Sequence, residues 1–273
     1  MTGRELKEAM QRNERVYSTL ITVTDPKWID TFKSMGLDFV FIDMEHIPIN
    51  LRDVSTLCHQ FSSMDTAPVV RIPDPDPYKA CVALDAGATG ILAPYIETED
   101  QVRNLIGAVK YKPLKGQKLE QFLIGETRLE DKLLDYLNDK NQDNVLFINI
   151  ESLSAVENLD KLLSFPELDG IIIGPHDLSC SLDIPEEYEN PLFLETIDRI
   201  IKIAVKHKKS VGYHKGYAAG DTEQMIQWAE QGMNILIHEG DLIAAGSKLN
   251  NDITHMRKRL NDEKQIDHET LSI

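Results

Sequence analysis

Eight short apolar runs, each followed by a stretch with helical spacing, set the strongest limit on what this chain can become. The runs are Val16–Thr22, Phe39–Asp43, Pro68–Arg71, Gly90–Pro94, Val145–Glu151, Gly170–Gly174, Ser210–His214 and Asn234–His238. Phe39-Val40-Phe41-Ile42 and Ile171-Ile172-Ile173 carry no polar residue at all. A strand with one wet face alternates apolar with polar residues. An unbroken apolar strand needs cover on both faces, as in a parallel sheet sheathed by helices.

The intervening segments supply that cover. Leu51, Val54, Cys58 and Phe61 share one helical face, as do Phe193, Ile197, Ile200, Ile201 and Ala204. Thr98-x-x-Gln101 and Ser154-x-x-Glu157 fit capping boxes that start helices. A last helix is predicted from about Leu242 to Leu260, with a polar tail from Asn261 suited to fraying or to docking on another subunit. Eight strand–helix repeats predict an α/β chain of the (β/α)8 TIM-barrel class. The expected layout is a single domain over residues 1–273, with the barrel at about 16–250 and the C-terminal helix and tail at about 242–273. A doubly wound open sheet is the competing architecture. The strand number and the lack of a Gly-x-Gly-x-x-Gly turn after the first strand favour the barrel. Lys112–Asn144 is long for a connection, and its mixed character predicts a loop with a helical piece around Arg128–Leu137.

Composition narrows the partners. The 273 residues carry 45 Asp and Glu against 29 Lys and Arg, a formal net charge of −16, which disfavours nucleic acid and anionic membranes as partners. An anionic small molecule stays compatible, because one arginine or a bound metal reverses the sign locally. Cys58, Cys81 and Cys180 are an odd number without a CxxC pair, so neither a disulfide framework nor a zinc knuckle is expected. Cys58 falls on a helix face and Cys180 in a loop, and neither is given a role. With no apolar leader and no membrane-length apolar run, a cytoplasmic location is expected.

Polar residues gather where the apolar runs end: Asp43-Met44-Glu45-His46, Arg71, Asn149-Ile150-Glu151, Gly174-Pro175-His176-Asp177, His214 and His238-Glu239-Gly240-Asp241. In a barrel these termini converge on one face, where active sites are built. Each has a plainer reading. Asp177 is equally suited to cap a helix starting near Ser179, Arg71 to bridge a buried carboxylate, and His214 and His238 to pack or hydrogen-bond. As a set they describe carbon-acid chemistry beside a carbonyl. Glu151 and Asp177, one repeat apart, can ligate a divalent cation, and an oxygen-only site suits Mg²⁺ or Mn²⁺ better than Zn²⁺. Asp43, three residues before His46, can orient that imidazole as a base. Arg71 supplies a positive fork for a carboxylate or oxyanion.

At these residues the sequence resembles the HpcH/HpaI-type class II (metal-dependent) pyruvate aldolases. The resemblance rests on Gly36-Leu37-Asp38-Phe39-Val40-Phe41-Ile42-Asp43-Met44-Glu45-His46, Pro68-Val69-Val70-Arg71, Asp85-Ala86-Gly87-Ala88, Asn149-Ile150-Glu151-Ser152 and Asp169 through Ser179. It implies a barrel assembled as a homo-trimer or hexamer, with the C-terminal helix exchanged between subunits. It also implies that Glu151 and Asp177 hold the metal, that Arg71 contacts the keto oxygen of pyruvate, and that His46, oriented by Asp43, moves the aldol proton. Asn149 stands where the family often has Gln, a position beside the metal ligand that can touch substrate. The implied partners are a 2-oxo acid and an aldehyde.

The departures from the family pattern are local. Tyr111-Lys112-Pro113-Leu114-Lys115-Gly116-Gln117-Lys118-Leu119 lacks the Arg-Gly pair and the small residues of the family's substrate loop. Leu20 replaces a frequent Trp, and Gly212-Tyr213-His214-Lys215-Gly216 is unusually polar, which makes Lys215 a candidate anion ligand. The leading expectation is a carbon–carbon lyase acting through a pyruvate-type enolate. The alternatives are a citryl- or malyl-CoA lyase, with Lys112, Lys115 and Lys118 near the CoA phosphates, and a non-catalytic relative that binds a metal and an anion.

Overall fold

In the computed structural model, which describes residues 1–215 and 222–262, the eight runs form a closed barrel of parallel strands in sequence order. The strands are β1 Val16–Ile21, β2 Phe39–Asp43, β3 Ala67–Arg71, β4 Gly90–Ala93, β5 Val145–Ile150, β6 Gly170–Ile173, β7 Ser210–His214 and β8 Ile235–His238. β8 closes on β1 with Val16 opposite Ile235. Each strand matches its sequence-derived bounds to within one residue at either end. Gly216 and the tail beyond Asp262 lie outside the described residues.

The side-chain period of two sorts each strand into an outer and an inner set. Outward residues such as Val40, Ile42, Val70, Ile148 and Ile171 join one large core with the helix residues Val54, Leu57, Phe61, Ile197 and Ile200. Inward residues Leu20, Phe39, Phe41, Val69, Leu92, Phe147, Ile172 and Ile235 fill the barrel as a second core. The inward series then turns polar in its last layer: Phe39, Phe41, Asp43 on β2; Ala67, Val69, Arg71 on β3; Phe147, Asn149, Glu151 on and just after β5.

The other end is closed by a helix absent from the expectations above, Gly3–Gln11. Thr2 and Glu5 form a reciprocal capping box, and Leu6, Ala9 and Met10 insert into the interior core beside Val16, Phe39 and Val145. A Cβ on Gly3 would sit 1.9 Å from the Asp143 carbonyl oxygen, so the helix starts with its backbone against the strand-five entry.

Several local expectations change. The Thr98–Gln101 capping box forms, but the helix after β5, Leu153–Glu157, is capped by Ser152 on the Ala155 N–H, and Ser154 lies inside it. Asp177 caps nothing: the helix is Pro175–Ser181 with Gly174 at its N-cap, because proline is favoured at the first helical position, and Cys180 is helical. The Lys112–Asn144 stretch contains two helices, Gly116–Leu123 and Asp131–Lys140. Because the preceding helix, Glu99–Lys110, runs back from the strand ends, this stretch begins and finishes at the strand-entry end. There Lys112 pairs with Asp85, and Tyr111 donates to Glu167. Leu119 and Leu123 pack on Gly107 of that outer helix rather than over this barrel's own polar layer. The C-terminal helix spans Asp241–Leu260, and Asn261, with φ 55°, ends it in the left-handed conformation. No helix among the described residues is long and apolar enough to cross a membrane.

Candidate active site

The polar layer is organised by register. Asp43 and Arg71 are direct partners across β2 and β3, so their inward side chains meet. Arg71 Nε and Nη2 donate to the two Asp43 oxygens at 2.8 and 2.6 Å, both groups nearly fully buried. This fork-on-fork pair uses the Nε/Nη2 edge of the guanidinium, leaving the edge formed by Nη1 and the second Nη2 N–H without a partner among the described residues. Burial by itself would raise the Asp43 carboxyl, but the Arg71 pair outweighs burial and holds it below its ordinary range. The guanidinium also lies over the Phe41 ring, 5.2 Å from its centroid.

Asp43 therefore holds Arg71, and the expected orientation of His46 by Asp43 is not what forms. Besides Arg71, Asp43 Oδ1 accepts the Glu45 N–H at 3.0 Å. His46 lies in the following loop, 53% exposed, with Nε2 3.6 Å from Glu45 Oε2. Glu45 was not singled out from the sequence, yet it is central. Its side chain is buried, and Oε2 is 3.0 Å from Arg71 Nε without a hydrogen-bond partner of its own. Burial pushes the Glu45 carboxyl up, with Arg71 opposing. The Glu45 carboxylate, and then burial, push the Tyr95 phenol up to about 12.

Glu151, just past β5, is 5% exposed. Its Oε1 accepts the Tyr95 N–H at 2.6 Å and its Oε2 accepts Asn149 Nδ2 at 2.8 Å. Burial pushes its carboxyl up and the nearby Asp177 and Glu45 add to that, against the two hydrogen bonds. Gly174 makes room: a Cβ there would lie 2.8 Å from Glu151 Oε2. The donor chemistry fits a hard divalent cation. Glu151 and Asp177 are carboxylates at successive strand ends that could serve as oxygen ligands, Asn149 Oδ1 is buried without a partner, and the neighbouring cation, Arg71, is already committed to Asp43 and Glu45. Among the described residues no group of three or more His, Cys, Asp and Glu side chains stands in a metal-holding arrangement, so the candidate ligands are these two carboxylates.

The remaining strand-end residues divide. His214 points inward against Phe41, ring centroids 4.9 Å apart, with Nε2 buried and unpartnered; burial and then Arg71 push it down to about 3, leaving it neutral. Asp241 is a clamp. It accepts from Thr22 and, at 2.9 Å, from Trp28 Nε1, tying β1 to the C-terminal helix. His238 is lowered by burial and then by nearby Lys215. Lys112 is tied to Asp85 and the Cys81 carbonyl at the opposite end of the barrel from Glu151, in the same stretch as Lys115 and Lys118.

Comparison with known proteins agrees with this geometry. The model of the HpcH/HpaI aldolase/citrate lyase family matches residues 19–244. The chain is 27% identical over 225 residues to a 2-keto-3-deoxy-L-rhamnonate aldolase of Klebsiella pneumoniae, covering 81% of this chain and 82% of that one. The Escherichia coli protein of the same name is 26% identical over 230 residues, 84% of each. Among solved structures, the citrate synthase SbnG superposes with a TM-score of 0.79 at 25% identity, covering 94% of this chain and 99% of that one. An HpcH/HpaI aldolase from Desulfitobacterium hafniense shares the fold with a TM-score of 0.78 at 24% identity, covering 93% and 96%. With the family model spanning nearly the whole barrel and buried carboxylates gathered at its strand ends, the chain belongs to the HpcH/HpaI aldolase/citrate lyase family and is a carbon–carbon lyase of its metal-dependent, class II aldolase type.

Proposed function

We propose that this chain cleaves and forms the aldol of a 2-oxo acid through a pyruvate-type enolate, with Mg²⁺ or Mn²⁺ held by Glu151 and Asp177. The observation that carries the reading is the pairing, within one polar layer, of a buried carboxylate at Glu151 with an arginine at Arg71 whose outer edge, Nη1 and the second Nη2 N–H, has no partner among the described residues. A divalent cation bound there supplies Lewis-acid polarisation of the keto group. Arg71 presents Nη1 to the keto oxygen as negative charge develops on it, and Asp43 fixes the guanidinium for that task. Asn149 keeps Glu151 oriented, and its unpartnered Oδ1 is available to a water or substrate hydroxyl. His46, at the exposed rim, moves the proton of the aldol hydroxyl between substrate and solvent.

The acyl-CoA alternative loses support, because its lysines belong to a stretch that starts and ends at the other end of the barrel. A homo-oligomer built by exchange of the C-terminal helix is supported by an apolar stripe on that helix. Leu249, Ile253, Met256 and Leu260 share one exposed face, and a groove of about 330 Å³ lined by Trp28, Phe32, Met35 and Ala244 opens at its base. The aldehyde is set by the acceptor side of the site, and the relatives' names point to a deoxy-sugar acid as the aldol to try first.

Proton exchange at C3 of pyruvate in D₂O, followed by NMR with Mg²⁺ or Mn²⁺ and with EDTA as control, tests the reading without an aldehyde. Metal-dependent exchange is expected. No exchange, with metal binding intact by calorimetry, would overturn the pyruvate enolate.

A further inference from the structure

The capping box at the start of the helix Glu99–Lys110 has one hydrogen bond too many for a cap. Gln101, the third helical residue, accepts the Thr98 N–H at 3.0 Å, as a capping box requires, and the Glu97 N–H at 2.9 Å on the same Oε1. Its Nε2 has no part in the cap, and it donates to the Tyr95 carbonyl at 2.9 Å. Tyr95, two residues past β4, stands at φ 53°, in the left-handed region that a residue with a side chain avoids. Its ring is 49% exposed, so packing in the core does not explain that backbone. What the conformation does is aim the Tyr95 N–H, which donates to Glu151 Oε1 at 2.6 Å.

The same turn is stapled to the chain just after Glu151. Glu97 Oε1 accepts the Ser152 hydroxyl, and the Glu97 carbonyl accepts Asn158 Nδ2 at 3.2 Å. Within this network Gln101 grips the turn at three backbone groups, the Tyr95 carbonyl and the N–H groups of Glu97 and Thr98. The Glu151 carboxylate, in turn, has one oxygen fixed by the Tyr95 N–H and the other by Asn149 Nδ2. With both oxygens held, its remaining lone pairs point in set directions, which is what a metal ligand needs from its supporting groups. We infer that Gln101 is a positioning residue for Glu151, acting through the Tyr95 backbone, so that the amide of a helix cap sets the direction in which that carboxylate meets a divalent cation. The inference rests on the reading of Glu151 as a metal ligand.

Gln101→Glu separates the two tasks of the side chain. A carboxylate still accepts the Thr98 and Glu97 N–H groups, and glutamate suits this position of a capping box, so the melting temperature should stay within about 2 °C of wild type. It cannot donate to the Tyr95 carbonyl and repels it. Titration calorimetry of the whole protein with Mn²⁺ alone should then give a Kd about tenfold weaker, and a crystal structure of the variant should show the Tyr95 N–H withdrawn from Glu151 Oε1. Adding Tyr95→Gly should restore most of the lost affinity, because glycine enters the left-handed region without being held there. A residue that only stabilised the helix would gain nothing from that second change. Wild-type affinity in Gln101→Glu, an unmoved Tyr95–Glu151 bond, or a weakened affinity that Tyr95→Gly leaves as it is would each overturn the inference. Glu151→Ala that binds Mn²⁺ as tightly as wild type would instead sink the ligand reading. The Tyr95–Glu151 bond in the Gln101→Glu crystal would then decide by itself whether Gln101 positions that carboxylate.

Discussion

The two ends of the barrel are built from the same strands and obey opposite rules. At the strand-entry end Val16, Phe39, Ala67 and Val145 meet Leu6, Ala9 and Met10 of the N-terminal helix in an apolar plug. Four residues further along the same strands stand Asp43 and Arg71, with Glu151 just beyond, buried to a similar degree but as charges. The plug gains stability from area removed from water. The polar layer costs stability, since Glu45 and Glu151 are carboxyls pushed up by burial, and it persists because the groups hold one another in place. Fold and chemistry are thus separated by about two turns of side-chain alternation along each strand.

The sharpest way to break this comparison is a change at the charged end that removes activity and spares the fold. Glu151→Ala takes away a candidate metal ligand and an uncomfortable buried carboxyl together. Metal-dependent pyruvate exchange is expected to fall about a thousand-fold, roughly 4 kcal/mol of barrier, while urea unfolding shifts little or toward higher stability. Calorimetric titration with Mn²⁺ checks the cause. Intact Mn²⁺ binding in the variant would remove Glu151 from the ligand set.

The mirror experiment is Phe39→Ala at the plug. Phe39 is 1% exposed and leans on Phe147 at 6.4 Å, so truncation leaves a cavity and should cost about 3–5 kcal/mol of stability. Activity per folded molecule, measured below the lowered melting point, should match wild type. A loss of kcat equal to that of a polar-layer variant would mean that the two ends are coupled through the shared strands.

How much of this contrast is legible in the sequence depends on what each feature needs. The barrel is legible because eight apolar runs each carry their own signal, and the site is legible in outline because Asp43, Arg71 and Glu151 end those runs. The plug was equally available: Thr2-x-x-Glu5 followed by Leu6, Ala9 and Met10 is a capped amphipathic turn. The pairing of Asp43 with Arg71 is not legible, because it is a property of strand register. In the sequence, His46 is the nearer neighbour of Asp43, and only the fold reveals that it is turned away. Glu45 hides for a related reason, since a loop residue has no periodicity from which burial can be read. Tyr95 depends on a backbone dihedral that its own residue type disfavours. The Lys112–Asn144 stretch, whose first residues align with the family's substrate loop by resemblance, is placed by the direction of the helix before it.

The smallest effect tests whether the polar layer contributes any stability of its own, and it does so through pH. Asp43 has its carboxyl held below the ordinary range, because the Arg71 pair outweighs the opposing effect of burial. A depressed value in the folded state means that the group supports folding above the unfolded pKa of about 3.9, and that this support is lost as pH falls through the folded value. Asp43→Asn leaves Arg71 with Glu45 as its remaining close carboxylate, and should cost about 3 kcal/mol near neutral pH. The gap between variant and wild type in urea unfolding should hold down to about pH 4 and narrow below it, as the wild-type carboxyl gains its proton. A gap that widened on acidification would mean that the folded protein binds the Asp43 proton more tightly than the unfolded chain does. In that case the pair would be held together against burial by its neighbours alone, and the charged end of the barrel would be a net load on the fold.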